Sequence, residues 1–120
     1  MYELDVLRER LRAFAAERDW EQFHTPKNVA IALSVEASEL LEIFQWLSSA
    51  ESENLTPEQC KAVSEEVGDV LNYLVRFCDL LDLDPIECAI NKLAINEQKY
   101  PAERVKGSAA KYTAYRDADA

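Results

Sequence analysis

Two acid-x-x-acid motifs, Glu36-Ala37-Ser38-Glu39 and Glu66-Val67-Gly68-Asp69, limit what this chain can become more than anything else in it. Residues three apart lie on one side of a helix, so each motif presents two carboxylates in one direction. Around the first, Val29, Leu33, Leu40, Phe44 and Leu47 step by three or four, with Glu36 filling the gap in the series and Ala32, Val35, Ile43 and Trp46 flanking Glu39. Around the second, Val63, Val67, Val70, Leu74 and Phe77 make the stripe, with Glu66 and Asp69 on its shoulder and Gly68 removing a side chain beside them. Both pairs therefore belong to the edge of core-facing surfaces. Two carboxylates about 5 Å apart, at an effective dielectric of about 20, repel by roughly 3 kcal/mol. Four in one place need protons, cationic side chains or metal.

Metal fits this donor set best. Oxygen-only ligands suit a hard cation, Mg²⁺ or Mn²⁺, better than Zn²⁺. A di-iron carboxylate bundle wants Glu-x-x-His units, and the single histidine, His24, lies outside both motifs. An isolated acid-x-x-acid is usually solvated helix surface. Two of them set into apolar stripes of consecutive helices are harder to explain that way.

Three helix starts carry the same signature. Thr25-Pro26, Thr56-Pro57 and Asp84-Pro85 each place a capping side chain before a proline suited to the first helical position, and Gln59 and Glu87 add capping-box spacing to the last two. With an amphipathic stretch over 3–18, the spacing predicts helices at about 26–47, 57–81 and 85–99. Residues 48–55 read as a polar loop short enough to make the motif helices antiparallel neighbours. Only two glycines and no alternating strand pattern point to an all-α bundle of four main helices. The expected domain is 1–101, followed by a polar tail over 102–120 that is a disordered end by default or an arm packing on a neighbouring subunit.

Composition excludes several classes. At 120 residues, 48% hydrophobic and 30% charged, the chain is one globular domain. Glu36, Ser38, Glu39 and Glu42 interrupt its most apolar stretch, and no signal-peptide pattern opens it, so no membrane span is expected. A net charge of -10 argues against a nucleic-acid partner. Cys60, Cys78 and Cys88 read as reduced thiols of a cytoplasmic protein.

Aromatics and polar residues extend the acid faces. Tyr73 lies four residues after Asp69 and Trp46 seven after Glu39, which suits core packing or a stacking pocket for a flat heterocycle. Trp20 and Phe23 fall in a short break at 19–24, where exposing both to water would need a reason. Lys92 and Asn96 are four apart, with Tyr100 one turn on, a line that is ordinary helix surface alone but suits phosphate and polar groups of a ligand beside a carboxylate-metal cluster.

FAAERDWEQFHTPKNVAIAL (Phe14 to Leu33), VEASELLEIFQW (Val35 to Trp46), EEVGDVLNYL (Glu65 to Leu74), NKLAINEQKYP (Asn91 to Pro101) and Lys111-Tyr112-Thr113 together resemble the MazG-like all-α nucleoside triphosphate pyrophosphohydrolases, most of all their dCTP pyrophosphatase branch. The resemblance covers about residues 4 to 113. It implies Mg²⁺ ligands at Glu36, Glu39, Glu66 and Asp69, and nucleotide contacts at Trp20, His24, Trp46, Tyr73, Lys92, Asn96 and Tyr100. Val35 stands where the family often has a second acid, yet all four ligand positions are filled. It further implies hydrolysis of dCTP or a modified dCTP to dCMP and pyrophosphate, in nucleotide-pool house-cleaning, by a homodimer or homotetramer whose pocket more than one subunit lines. Glu39 is the expected activator of water. A dUTP or broad-range pyrophosphatase would show a flat base profile. A non-catalytic acidic bundle that binds a protein partner would be indifferent to EDTA.

Overall fold

A computed structural model describes residues 3–107. The helices are α1 (Leu4–Glu17), α2 (Pro26–Phe44), α3 (Ser49–Ser52), α4 (Pro57–Leu80), α5 (Pro85–Lys99) and α6 (Ala102–Val105), with a 3₁₀ turn at Glu21–Phe23. No strand occurs among the described residues, and no helix there is long and apolar enough to cross a membrane. The all-α class and the four long helices agree with the sequence reading.

The caps explain where the helices begin. Thr25 accepts the Asn28 N–H, Thr56 and Gln59 close a reciprocal capping box, and Asp84 accepts from Ile86 and Glu87, each satisfying backbone donors that a first turn leaves unpaired. Only half of the expected Asp84–Glu87 box forms: Asp84 Oδ1 accepts the Glu87 N–H, without the return bond from the Asp84 N–H to the Glu87 carboxylate. Within the expected 48–55 loop, Ser48 and Glu51 make a box of their own that starts the four-residue α3.

Two helices end without glycine. Past α1, Asp19 takes φ 54°, its N–H reaching Ala16 O and the Trp20 N–H reaching Ala15 O; past α4, Asp82 takes φ 55°, with Asp82 N–H on Asp79 O and Leu83 N–H on Cys78 O. Both are Schellman turns carried by Asp, which tolerates the left-handed region. The first fixes Trp20, whose ring meets Phe14 edge to face at 5.6 Å.

The chain divides at Leu83 into two compact units. In the first, α2 and α4 form the main packing pair and α1 packs on α4. Glu36 approaches Glu66, and His24 approaches Arg76, so α2 and α4 run antiparallel. Arg12 meets Asp79, while Leu4 and Leu7 line a cavity of about 350 Å³ with Gly68 and Leu71, so α1 runs parallel to α4. Ala15, Val29, Val75 and Cys78 are the fully buried apolar side chains among the described residues. Several stripe positions stay open instead, Val35, Trp46 and Val67 among them. Gly68 faces the α1–α4 cavity, where an added Cβ would meet nothing within 4 Å; it does not make room for the acids as the spacing suggested.

In the second unit α5 carries an apolar row of Ile86, Ile90 and Leu93 that is more than half exposed, and α6 follows Pro101. Cys60, Cys78 and Cys88 are thiols. The Lys111-Tyr112-Thr113 match and most of the proposed tail lie outside the described residues.

Candidate active site

The antiparallel α2–α4 pair brings three of the four motif acids together. One carboxylate oxygen each from Glu36, Glu39 and Glu66 lies within 4.8 Å of the others. Oε2 of Glu36 and Oε2 of Glu66 are buried without a hydrogen-bond partner, a costly state for acceptor-only groups. Burial first, then hydrogen bonding to Glu39 and Glu66, then the charges of Glu39 and Asp69, push the Glu36 carboxyl up to about 7. Three converging carboxylates, two of which carry a buried oxygen without a partner, fit a hard divalent cation, which would supply positive charge among them. The cluster can hold a metal.

Asp69 stands apart from that trio and is exposed. It lines a neighbouring cavity of about 220 Å³ together with Leu11, Phe14, Trp20, His24, Asn72, Tyr73 and Arg76. Since the Asp69 charge is felt at Glu36, the acid cluster and the aromatic cavity meet at this residue. A carboxylate centre beside a flat-walled apolar pocket can take a ligand with an anionic end and a heterocyclic end.

Three expected nucleotide contacts, Trp20, His24 and Tyr73, thus share one cavity in the first unit. Trp46 does not join them in this chain: α2 ends at Phe44 rather than 47, the chain turns, and the indole is 87% exposed. Lys92, Asn96 and Tyr100 belong to the second unit, where Asn96 lies one turn after Lys92 and its carbonyl accepts the Tyr100 N–H at 2.9 Å.

Sequence reasoning passed over Arg76, a buried cation on the cavity wall. Its Nε donates to His24 Nδ1 at 3.1 Å, and its Nη1 lies 3.6 Å from Asp79 Oδ2. Asp79 in turn accepts from Arg12, Nε to Oδ2 at 2.7 Å and Nη2 to Oδ1 at 2.5 Å, and Arg12 holds its carboxyl below the usual range. Burial and the Arg76 charge lower the His24 pKa, and because Nδ1 accepts from Arg76 the imidazole carries its proton on Nε2. One signal was available: Arg76 falls three residues after Tyr73 and seven after Asp69, on the same helical face.

Comparison with known proteins identifies the family and the fold. Residues 31–114 match the MazG-like family. The chain is 45% identical over 112 residues to dCTP pyrophosphatase 1 of Rattus norvegicus and 41% identical to that of Homo sapiens, each match covering 92% of this chain and 66% of the relative; it therefore spans a little under two thirds of their length. The crystal structure of a pyrophosphatase from Archaeoglobus fulgidus DSM 4304 superposes with a TM-score of 0.78 at 43% identity, over 84% of this chain and 94% of that one. By the extent of the family match and by the shared fold, this chain belongs to the MazG-like family.

Proposed function

We propose that the chain is a Mg²⁺-dependent nucleotide pyrophosphohydrolase that cleaves dCTP, or a modified dCTP, to the monophosphate and pyrophosphate, with Mn²⁺ as a workable substitute. The observation that carries this reading is the junction at Asp69 between three converging carboxylates and an aromatic cavity. The relatives named dCTP pyrophosphatase 1 support the substrate class.

Glu36, Glu39 and Glu66 would hold the metal, with Asp69 assigned as a fourth ligand by the resemblance. When bound, the cation draws charge from the phosphates and acidifies a water. Glu39 would orient the attacking water and take its proton. Trp20 and Tyr73 bracket the base, an interaction worth about 1 to 3 kcal/mol per stacked ring, and His24 offers Nε2–H at its edge. Close apolar walls leave little room for a 2′-hydroxyl, which favours the deoxynucleotide. Trp46, Lys92, Asn96 and Tyr100 are assigned to the substrate by the resemblance alone, Lys92 to the phosphates and Asn96 to the sugar or base. The enzyme works as a homodimer or homotetramer; exposed Ile31, Val35, Leu41 and Val67 give the apolar area that association would cover.

Pyrophosphate release from dCTP, 5-methyl-dCTP, dUTP and CTP, with Mg²⁺ and with EDTA, tests the proposal. Metal-dependent release that is fastest with the deoxycytidine nucleotides, and lost in Glu39→Gln, is expected. No release from any triphosphate at saturating metal would end it, and a flat profile across bases would replace dCTP with a broad range.

A further inference from the structure

We propose that Arg76 is a specificity-determining residue that reads the pyrimidine: its guanidinium donates to the adjacent acceptors of cytosine, N3 and O2, and turns away uracil and thymine. This rests on the deoxynucleotide reading above. The starting observation is a buried guanidinium with donors to spare. Asp79 is the carboxylate between two guanidiniums, held through both oxygens by Arg12 and touched at 3.6 Å by Arg76. Arg12 is also paired with Glu9, Nη1 to Oε1 at 2.9 Å, whereas Arg76 has Asp79 at 3.6 Å and, on its other side, an imidazole nitrogen that accepts its Nε–H. Arg76, only 8% exposed, stands on the wall of a cavity that it shares with Leu11, Phe14, Trp20 and Tyr73 and with the polar side chains of His24, Asp69 and Asn72.

A guanidinium has five N–H donors and no acceptor. Nε is spent on His24 Nδ1 and Nη1 faces Asp79, which leaves Nη N–H groups for a ligand. The bond to Nδ1 also leaves His24 with a donor on its other nitrogen. This wall offers donors, and its complement is an edge made of acceptors. Among the pyrimidines, cytosine alone places an unprotonated ring nitrogen beside a carbonyl; uracil and thymine have N3–H there, which would face a cation across a half-dry cavity and leave donors opposed. The Asn72 amide oxygen, on the same cavity, suits the exocyclic amine of cytosine. The Asp79 anchor fixes the guanidinium in place, so little side-chain entropy is lost when the base arrives.

The test compares wild type, Arg76→Met and Arg76→Lys. For each, kcat/KM is measured with dCTP and with dUTP under Mg²⁺, and affinity for dCMP and dUMP is measured without metal. In Arg76→Met, kcat/KM for dCTP falls about 10- to 100-fold, the range for a charged hydrogen-bond pair, while dUTP changes by less than about threefold and the preference collapses. Arg76→Lys keeps the charge beside Asp79 but not the fork, and loses part of the preference; it carries the test if the Met variant does not fold. Equal losses for both triphosphates would make Arg76 a phosphate or purely structural group and overturn the proposal, as would an unchanged ratio. If wild type hydrolyses nothing, the proposed function fails by itself: a dCMP-over-dUMP preference that Arg76→Met abolishes still supports the base-reading role, and equal binding of the two monophosphates overturns it.

Discussion

Replacing Glu36 by Gln tests the electrostatic logic of the acid cluster without needing a substrate. In the metal-free protein Glu36 titrates at about 7 against 4.5 for the unperturbed group. Between those values the folded state holds a proton that the unfolded state has released, so wild-type stability falls as pH rises through that window. The amide of Glu36→Gln has no proton to lose and no charge to repel its neighbours. The difference between the two proteins is therefore near zero at about pH 5 and reaches its full size at about pH 8. One pair of charges within 4.8 Å in an effective dielectric of about 20 repels by at least roughly 3.5 kcal/mol. Glu39 and Glu66 are half-buried, and solvent screening lowers the expected net gain to about 1–2 kcal/mol. For a domain of this size that is a rise of roughly 4–8 °C in Tm.

Thermal melts in EDTA at the two pH values read this directly, and adding Mg²⁺ completes the cycle. Saturation at a hundredfold over Kd stabilises a folded state by about 2.7 kcal/mol, which wild type gains and Glu36→Gln forfeits. The Gln variant is thus the more stable protein without metal at the higher pH and the one that fails to respond to metal. An equal Tm difference at both pH values, or a Gln variant that is less stable at about pH 8, would refute the account of these three carboxylates as a crowded site awaiting positive charge.

Three further outcomes follow from particular residues. Gly68→Ala stabilises α4 by about 0.5–1 kcal/mol in denaturant melts, because helix propensity improves and the added Cβ meets nothing within 4 Å. Asp79→Ala costs about 3 kcal/mol by leaving the buried Arg76 guanidinium without its carboxylate; in wild type the Asp79 contribution is present above 3.8, its unperturbed value, and is lost as pH falls through the lowered folded value, so Asp79→Asn flattens the acid limb of the stability curve. Trp20→Ala raises KM for dCTP about 10- to 100-fold, the worth of one stacked ring, with a smaller change in kcat; an unchanged KM would remove Trp20 from the base pocket.

What could be read from the sequence divides along a physical line. Helix starts were legible because Thr25-Pro26, Thr56-Pro57 and Asp84-Pro85 each hold the whole signal in two adjacent residues, and the carboxylate trio was legible because i,i+3 spacing and a short connection fix which acids can meet. Glycine-free Schellman turns at Asp19 and Asp82 were not, since the sequence marks a left-handed cap clearly only when glycine supplies it. The α3 turn was hidden because its box, Ser48 to Glu51, has no apolar stripe behind it. The stripes themselves overstated burial: Val35 and Val67 match the helical period yet stay half-exposed, because periodicity names a face without naming what covers it. Arg76 shows the limit most clearly. An arginine in an amphipathic helix reads as solvated, and only partners far off in the chain, His24 from the turn before α2 and Asp79 shared with Arg12 of α1, make its burial tolerable. The acids announced themselves because their problem, too much negative charge, is local; the cation that gives the cavity its character is held by a network that exists only once α1, α2 and α4 have come together.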